Sequence, residues 1–184
     1  MSKSIEACIV QRLAKRFQRL TAEGRCLFAQ EVRVLSWGHI GKGVQTVRAD
    51  FGVSLDDSPL LAIECKGRLE QPVELGRALS QCDDYARAKV GANDAARVPI
   101  SWIDRPIWGA ALAFDLPGSR ETVQAHATMA HRIVGPRNVG FLEREDRGLC
   151  LRLGGERWWT EWSGWRADAF ARGTRLGSGR SDMP

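Results

Sequence analysis

Apolar positions recur at helical spacing across residues 4–22, where Ile5, Ile9, Leu13, Phe17 and Leu20 form one stripe and Gly24 follows as a stop. From 26 to 37 the pattern changes to alternation, with Leu27, Ala29, Glu31, Arg33 and Leu35 set against Phe28, Val32 and Val34, which predicts a strand. Ser36 to Gly43 reads as a glycine-rich loop. Two β-rich runs follow, Arg48 to Val53 and Leu60 to Gly67, separated by the strong turn chemistry of Asp56-Asp57-Ser58-Pro59, so a hairpin is expected. Pro72 suits a first helical turn, and Leu75, Ala78, Leu79, Cys82 and Ala86 then recur at helical spacing. Residues 91–105 read as irregular, 106–114 as a buried strand and 119–133 as a second helix with Ser119 as its N-cap candidate. Short strands are expected at 139–142, 149–153 and 157–162, and a loose tail from Arg172. Periodicity alone gives an α/β or α+β class.

Composition narrows this little. The 184 residues suit one domain with a single substantial core, spanning 1–171 with its core at about 4–114, an elaboration over 115–171 and a tail at 172–184. The net charge of +5 permits a polyanionic partner without requiring one. The first residues meet charge at Lys3 and Glu6 and build no apolar signal region, and no stretch is long enough to span a bilayer. Five cysteines without paired spacing fit small buried hydrophobes, and a cytoplasmic location is expected.

The chemistry lies in the hairpin. Asp50 and Glu64 are acids inside apolar runs, where a charge is costly unless it is paired or binds a metal. With the turn centred on Asp57, residues whose numbers sum to 114 face one another, which sets Asp50 across from Glu64. Alternation then aims Glu64 and Lys66 to one face and Ile63 and Cys65 to the other. Two carboxylates and a lysine are the minimum set for metal-assisted hydrolysis of a phosphodiester. On the following helix Arg77, Gln81 and Tyr85 are four residues apart and share a stripe.

Asp50 followed by Glu64-Cys65-Lys66 resembles the motif of the PD-(D/E)XK nuclease superfamily, although the proline that names the motif is absent and Arg48-Ala49 precedes the aspartate. Gln81 and Tyr85 are similar to a glutamine–tyrosine signature carried by a subset of that superfamily. The resemblance covers Glu31 to about Tyr85, and it implies a restriction-endonuclease-like αβββαβ sandwich around a mixed sheet. It further implies a DNA endonuclease in which Asp50, Glu64 and the Cys65 backbone carbonyl hold Mg²⁺, with Mn²⁺ as a substitute, and Glu6 or Glu31 completes the shell. Lys66 would orient or deprotonate the attacking water, and Gln81 and Tyr85 would hold Lys66 or the DNA. A homodimer is compatible with the resemblance. The rival expectation is a DNA-binding or assembly module with the same fold and no chemistry.

Other features carry less. Gly38 to Gly43 lacks the spacing of a phosphate loop, and His126 and His131 lie on different helix faces with no third zinc ligand. Trp158, Trp159, Trp162 and Trp165 fit aromatic filling of a β-layer better than base stacking.

Overall fold

Ser4 opens the chain's first helix by accepting a hydrogen bond from the Ala7 amide, and Gly24 closes it. Gly24 has φ +73°, and the Arg25 and Gly24 amides bond back to the Leu20 and Thr21 carbonyls, so the last turn is satisfied by a left-handed cap that a side chain would strain. A computed structural model describes residues 4–37, 44–67, 72–92, 96–114, 138–154, 156–167 and 169. The elements are α1 (Ile5–Ala22), β1 (Cys26–Trp37), β2 (Val44–Leu55), β3 (Leu61–Lys66), α2 (Pro72–Tyr85), β4 (Lys89–Val90), β5 (Gly109–Phe114), β6 (Val139–Glu145), β7 (Gly148–Leu153), β8 (Glu156–Thr160) and β9 (Gly164–Trp165). The expected helix at 119–133 and the tail beyond 171 lie outside the described residues.

The fold is mixed α/β. Among the described residues one nine-stranded sheet runs β4-β1-β2-β3-β5-β6-β7-β8-β9, with β5 parallel to both β3 and β6 and the other neighbours antiparallel. Strands β6 to β9 lengthen this sheet instead of forming a layer of their own. Three differences from the sequence expectation stand out. The strand expected from Pro106 begins at Gly109, because the Ile107 and Trp108 amides bond to Ala88 and Leu60 carbonyls outside a regular ladder. The connection expected to be irregular contains a short 3₁₀ turn at Ile100–Trp102. The strand expected over 157–162 ends at Thr160, where the chain turns.

Each sheet face carries its own core. Phe17 and Leu20 of α1 pack with Phe51, Val53, Ile63, Cys65 and Leu151 on one face. Leu75, Leu79, Cys82 and Tyr85 of α2 pack with Val32, Ala49, Ala62, Leu112 and Trp102 on the other. The run Leu60 to Ile63 is buried throughout, as a strand covered on both sides must be. Gly140 is required where β6 meets β7, since a Cβ there would sit 1.7 Å from the Arg152 carbonyl oxygen. Trp158 and Trp159 are buried and serve as core, and Trp165 stacks edge-on against Trp108.

The hairpin register matches the expectation. Asp56 and Asp57 have φ +44° and +59° and form the two left-handed positions of a tight turn, closed by the Ser58 amide on the Leu55 carbonyl. Phe51, Gly52 and Val53 pair with Ile63, Ala62 and Leu61, so Asp50 and Glu64 are next in register.

The alternation expected along residues 26–37 does not persist. Phe28 faces the α1 core, yet Val32 and Val34 face the α2 core, a switch of parity within one strand. The partner strand switches at the same level, with Phe51 and Val53 toward α1 but Val47 and Ala49 toward α2. Pairing of β1 with β2 keeps one register on both sides of the break and skips only Glu31 and Asp50. Glu31, with φ +53°, supplies the left-handed residue that reverses the faces.

Candidate active site

Asp50 occupies this break, and the break explains how it reaches its neighbours. It belongs to neither regular face of β2. Its Oδ2 accepts the Cys65 amide at 2.7 Å, taking the place of a backbone carbonyl where β2 and β3 part. Asp50 Oδ1 has no hydrogen-bond partner among the described residues. Glu64 follows strict alternation and turns toward α2, whereas Ile63 and the Cys65 thiol enter the α1 core.

Glu64 is 4% exposed and both its oxygens are engaged. Lys66 Nζ lies 2.5 Å from Oε1, so these two side chains do share a face. The Tyr85 hydroxyl lies 2.9 Å from Oε2 and 2.7 Å from the Arg48 carbonyl, and it accepts from Gln81 Nε2 at 2.6 Å. A phenol has one proton for these two acceptors. Both contacts are hydrogen-bonded together only when Glu64 itself carries a proton on Oε2. Tyr85 is fully buried, and its hydroxyl is the link between α2, β3 and β2.

Burial raises the Asp50 carboxyl above its ordinary range, with the Cys65 amide and Lys66 pulling the other way. Burial also raises Glu64, against the Lys66 hydrogen bond and together with the repulsion of Asp50. Lys66 pays a desolvation cost, but Glu64, Glu6 and Asp50 outweigh it and hold its proton more firmly than usual. Asp50, Glu64 and Lys66 therefore act on one another through space.

Of these three, Lys66 borders a shallow cavity of about 540 Å³, lined also by Glu6, Gly67, Arg77 and Gln81. Of the two acids expected to complete a metal shell, Glu6 borders this cavity from the first turn of α1. The Glu31 side chain is 55% exposed and pairs with Arg97 at 3.3 Å and Arg48 at 3.8 Å instead. No cluster of three or more His, Cys, Asp or Glu ligands forms among the described residues. The loop at 38–43 lies outside those residues.

Sequence reasoning missed two structural networks. Buried Glu161 is held by Arg16 and Arg19 of α1, each 2.5 Å from Oε1, and by the Leu149 amide at 3.0 Å. Asp56 accepts both Arg25 Nε and an Arg25 terminal nitrogen at 2.9 Å, and Trp159 Nε1 at 2.6 Å. Burial opposes the Asp56 charge, but these bonds together hold its carboxyl below the ordinary value. The only sequence signal for either was an acid beside tryptophans or inside a turn. No helix among the described residues is long and apolar enough to cross a membrane. No family model, curated protein or solved structure matches this chain.

Proposed function

We propose that the chain is a metal-dependent phosphodiesterase acting on DNA, with an endonuclease-type site of the PD-(D/E)XK kind on a restriction-endonuclease-like core. The observation that supports this reading is the proximity of Asp50, Glu64 and Lys66 at the point where β2 and β3 separate, with Lys66 on the wall of an open cavity. Two carboxylates kept in a desolvated place, both raised by burial, are poorly satisfied as anions and gain from a hard cation. Asp50 Oδ1 and Glu64 Oε1 are the oxygens that would hold Mg²⁺, with water and substrate oxygens filling the remaining positions. Bound there, the ion would polarise the scissile phosphate and acidify a water molecule.

The residues themselves divide the rest of the work. Tyr85 and Gln81 fix Glu64 from behind, so its carboxylate keeps one orientation. Lys66 would leave Glu64 and turn into the cavity, where its charge stabilises the pentavalent phosphate. Its firmly held proton suits that electrostatic role better than the role of a base. Arg77 at the cavity rim supplies a further cation toward the phosphate backbone. The test is incubation of the purified protein with linear, circular, single-stranded and branched DNA in Mg²⁺ or Mn²⁺, with an EDTA control. Metal-dependent cleavage of any of these supports the reading, and its absence from all of them overturns it.

One observation favours a second reading, a DNA-binding module without chemistry. Both Glu64 oxygens are already occupied by protein groups, Lys66 and Tyr85. That reading predicts a DNA mobility shift in EDTA together with no cleavage in either metal.

A further inference from the structure

A second cavity, of about 380 Å³, lies between α1 and the β6–β7 turn, on the face of the sheet opposite α2. Its apolar floor includes Ile9 and Leu13, and its walls carry Arg12 and Arg16 from α1 and Arg144 and Arg147 from the turn. Arg12 and Arg16 are one helical turn apart and project the same way. Arg16 is fixed by its bond to buried Glu161, which leaves that side of the wall preorganised.

The turn arginines differ from their neighbours. Arg152 pairs with Glu143 and Glu145, Arg157 with Glu145, and Arg166 with Glu156. Arg144 and Arg147, both exposed, form no ion pair among the described residues. The acids beside them do not neutralise them: Glu145 is taken by Arg152 and Arg157, and Asp146 is one charge against two. Alternation explains the arrangement. Leu142 faces the α1 core, so Arg144 follows it to that side, while Glu143 lies on the other side with Arg152; Glu145, next to the turn, also borders the recess and is held by Arg152 and Arg157. The result is a walled recess with a cationic rim, the form that concentrates field on an incoming anion.

We infer that this recess binds a phosphate-type oxyanion, with Arg144 and Arg147 as the residues that grip it. Guanidinium forks match phosphate oxygens in pairs, and four arginines around one recess exceed what solubility needs. A free phosphate and a nucleic-acid strand present the same group, and the two probes below separate them; the inference does not depend on hydrolysis at Lys66.

The test uses the full chain and two probes, inorganic phosphate by calorimetry and a labelled oligothymidylate by fluorescence anisotropy over a range of salt. Arg144→Ala/Arg147→Ala is compared with Arg87→Ala/Lys89→Ala, which removes an exposed and a half-buried cation that already have acidic partners, Asp83 and Asp104. We expect the first pair to weaken oligonucleotide binding at least about tenfold and to flatten the slope of log K against log salt by about 1.4, two contacts at 0.7 each for a single strand. The control pair should change neither. Loss of oligonucleotide binding identifies a strand as the source of the phosphate, and loss confined to inorganic phosphate identifies a free anion. Wild-type binding of neither probe overturns the inference, as does an Arg144→Ala/Arg147→Ala protein that binds both probes like wild type, or a control pair that costs as much. Because these readouts do not include cleavage, a protein that fails to cut DNA can still pass them.

Discussion

Replacing Tyr85 with phenylalanine removes a single oxygen from the centre of the candidate site. The ring stays, so its apolar burial is unchanged. The hydroxyl's three neighbours lose it together: Glu64 Oε2 at 2.9 Å, the Arg48 carbonyl at 2.7 Å and Gln81 Nε2 at 2.6 Å. A hydrogen bond to a charged acceptor is worth about 1.5–3 kcal/mol, and a buried acceptor left unsatisfied costs about 1–3 kcal/mol. One proton cannot serve both acceptors in full, so these do not simply add, and about 2–4 kcal/mol is the expected loss. For a chain of this size that lowers Tm by roughly 5–15 °C. Urea unfolding followed by tryptophan fluorescence measures the loss. A cycle with Glu64→Gln isolates the Tyr85–Glu64 part, for which coupling of about 0.5–3 kcal/mol is expected. A Tyr85→Phe change below about 0.5 kcal/mol with no coupling would refute the reasoning, because it would mean that the hydroxyl supports neither the carboxylate nor the strand.

Three other outcomes follow from the structure. Glu64 has a folded pKa raised by burial, so its charge opposes folding and that cost grows as pH rises from the ordinary carboxylate range; Glu64→Gln should gain stability relative to wild type at about pH 8 and less at about pH 4, as read from urea midpoints. Asp56 has the opposite sign: despite burial, Arg25 and Trp159 depress its folded pKa, so its contribution is present above the ordinary aspartate range and is lost as pH falls through the folded value. Asp56→Asn should therefore cost about 2 kcal/mol at neutral pH and almost nothing in strong acid, measured by thermal unfolding across pH. Gly140→Ala should cost about 3 kcal/mol or more, or prevent folding, because its Cβ meets the Arg152 carbonyl of a central strand; a soluble variant with wild-type Tm would contradict the close approach.

The legible parts of the molecule were local. A helix with one apolar stripe and a glycine stop, and a hairpin whose Asp56-Asp57 turn sets the register, are both encoded by neighbouring residues in short stretches of chain. Register followed from the turn, and with it the pairing level of Asp50 and Glu64. The reversal of faces at Glu31 and Asp50 was not legible. Alternation assumes an unbroken pleat, and a glutamate in the left-handed region leaves no compositional mark. For that reason the route by which Asp50 reaches Glu64 and Lys66, through the Cys65 amide, came only from the structure. The burial of Tyr85 was hidden because helical spacing places it near two stripes at once. The Arg16–Glu161 pair is separated by 145 residues, beyond any local pattern. The same distance conceals the arginine-lined recess, which forms only when the β6–β7 turn lands beside α1.

The most direct measurement is the rate of Mg²⁺-dependent DNA cleavage by wild type, Asp50→Ala and Lys66→Ala, each first shown to be folded. The expected result is a wild-type rate that falls at least about 100-fold in both variants. Undiminished cleavage in both would contradict it, because the chemistry would then lie elsewhere in the chain.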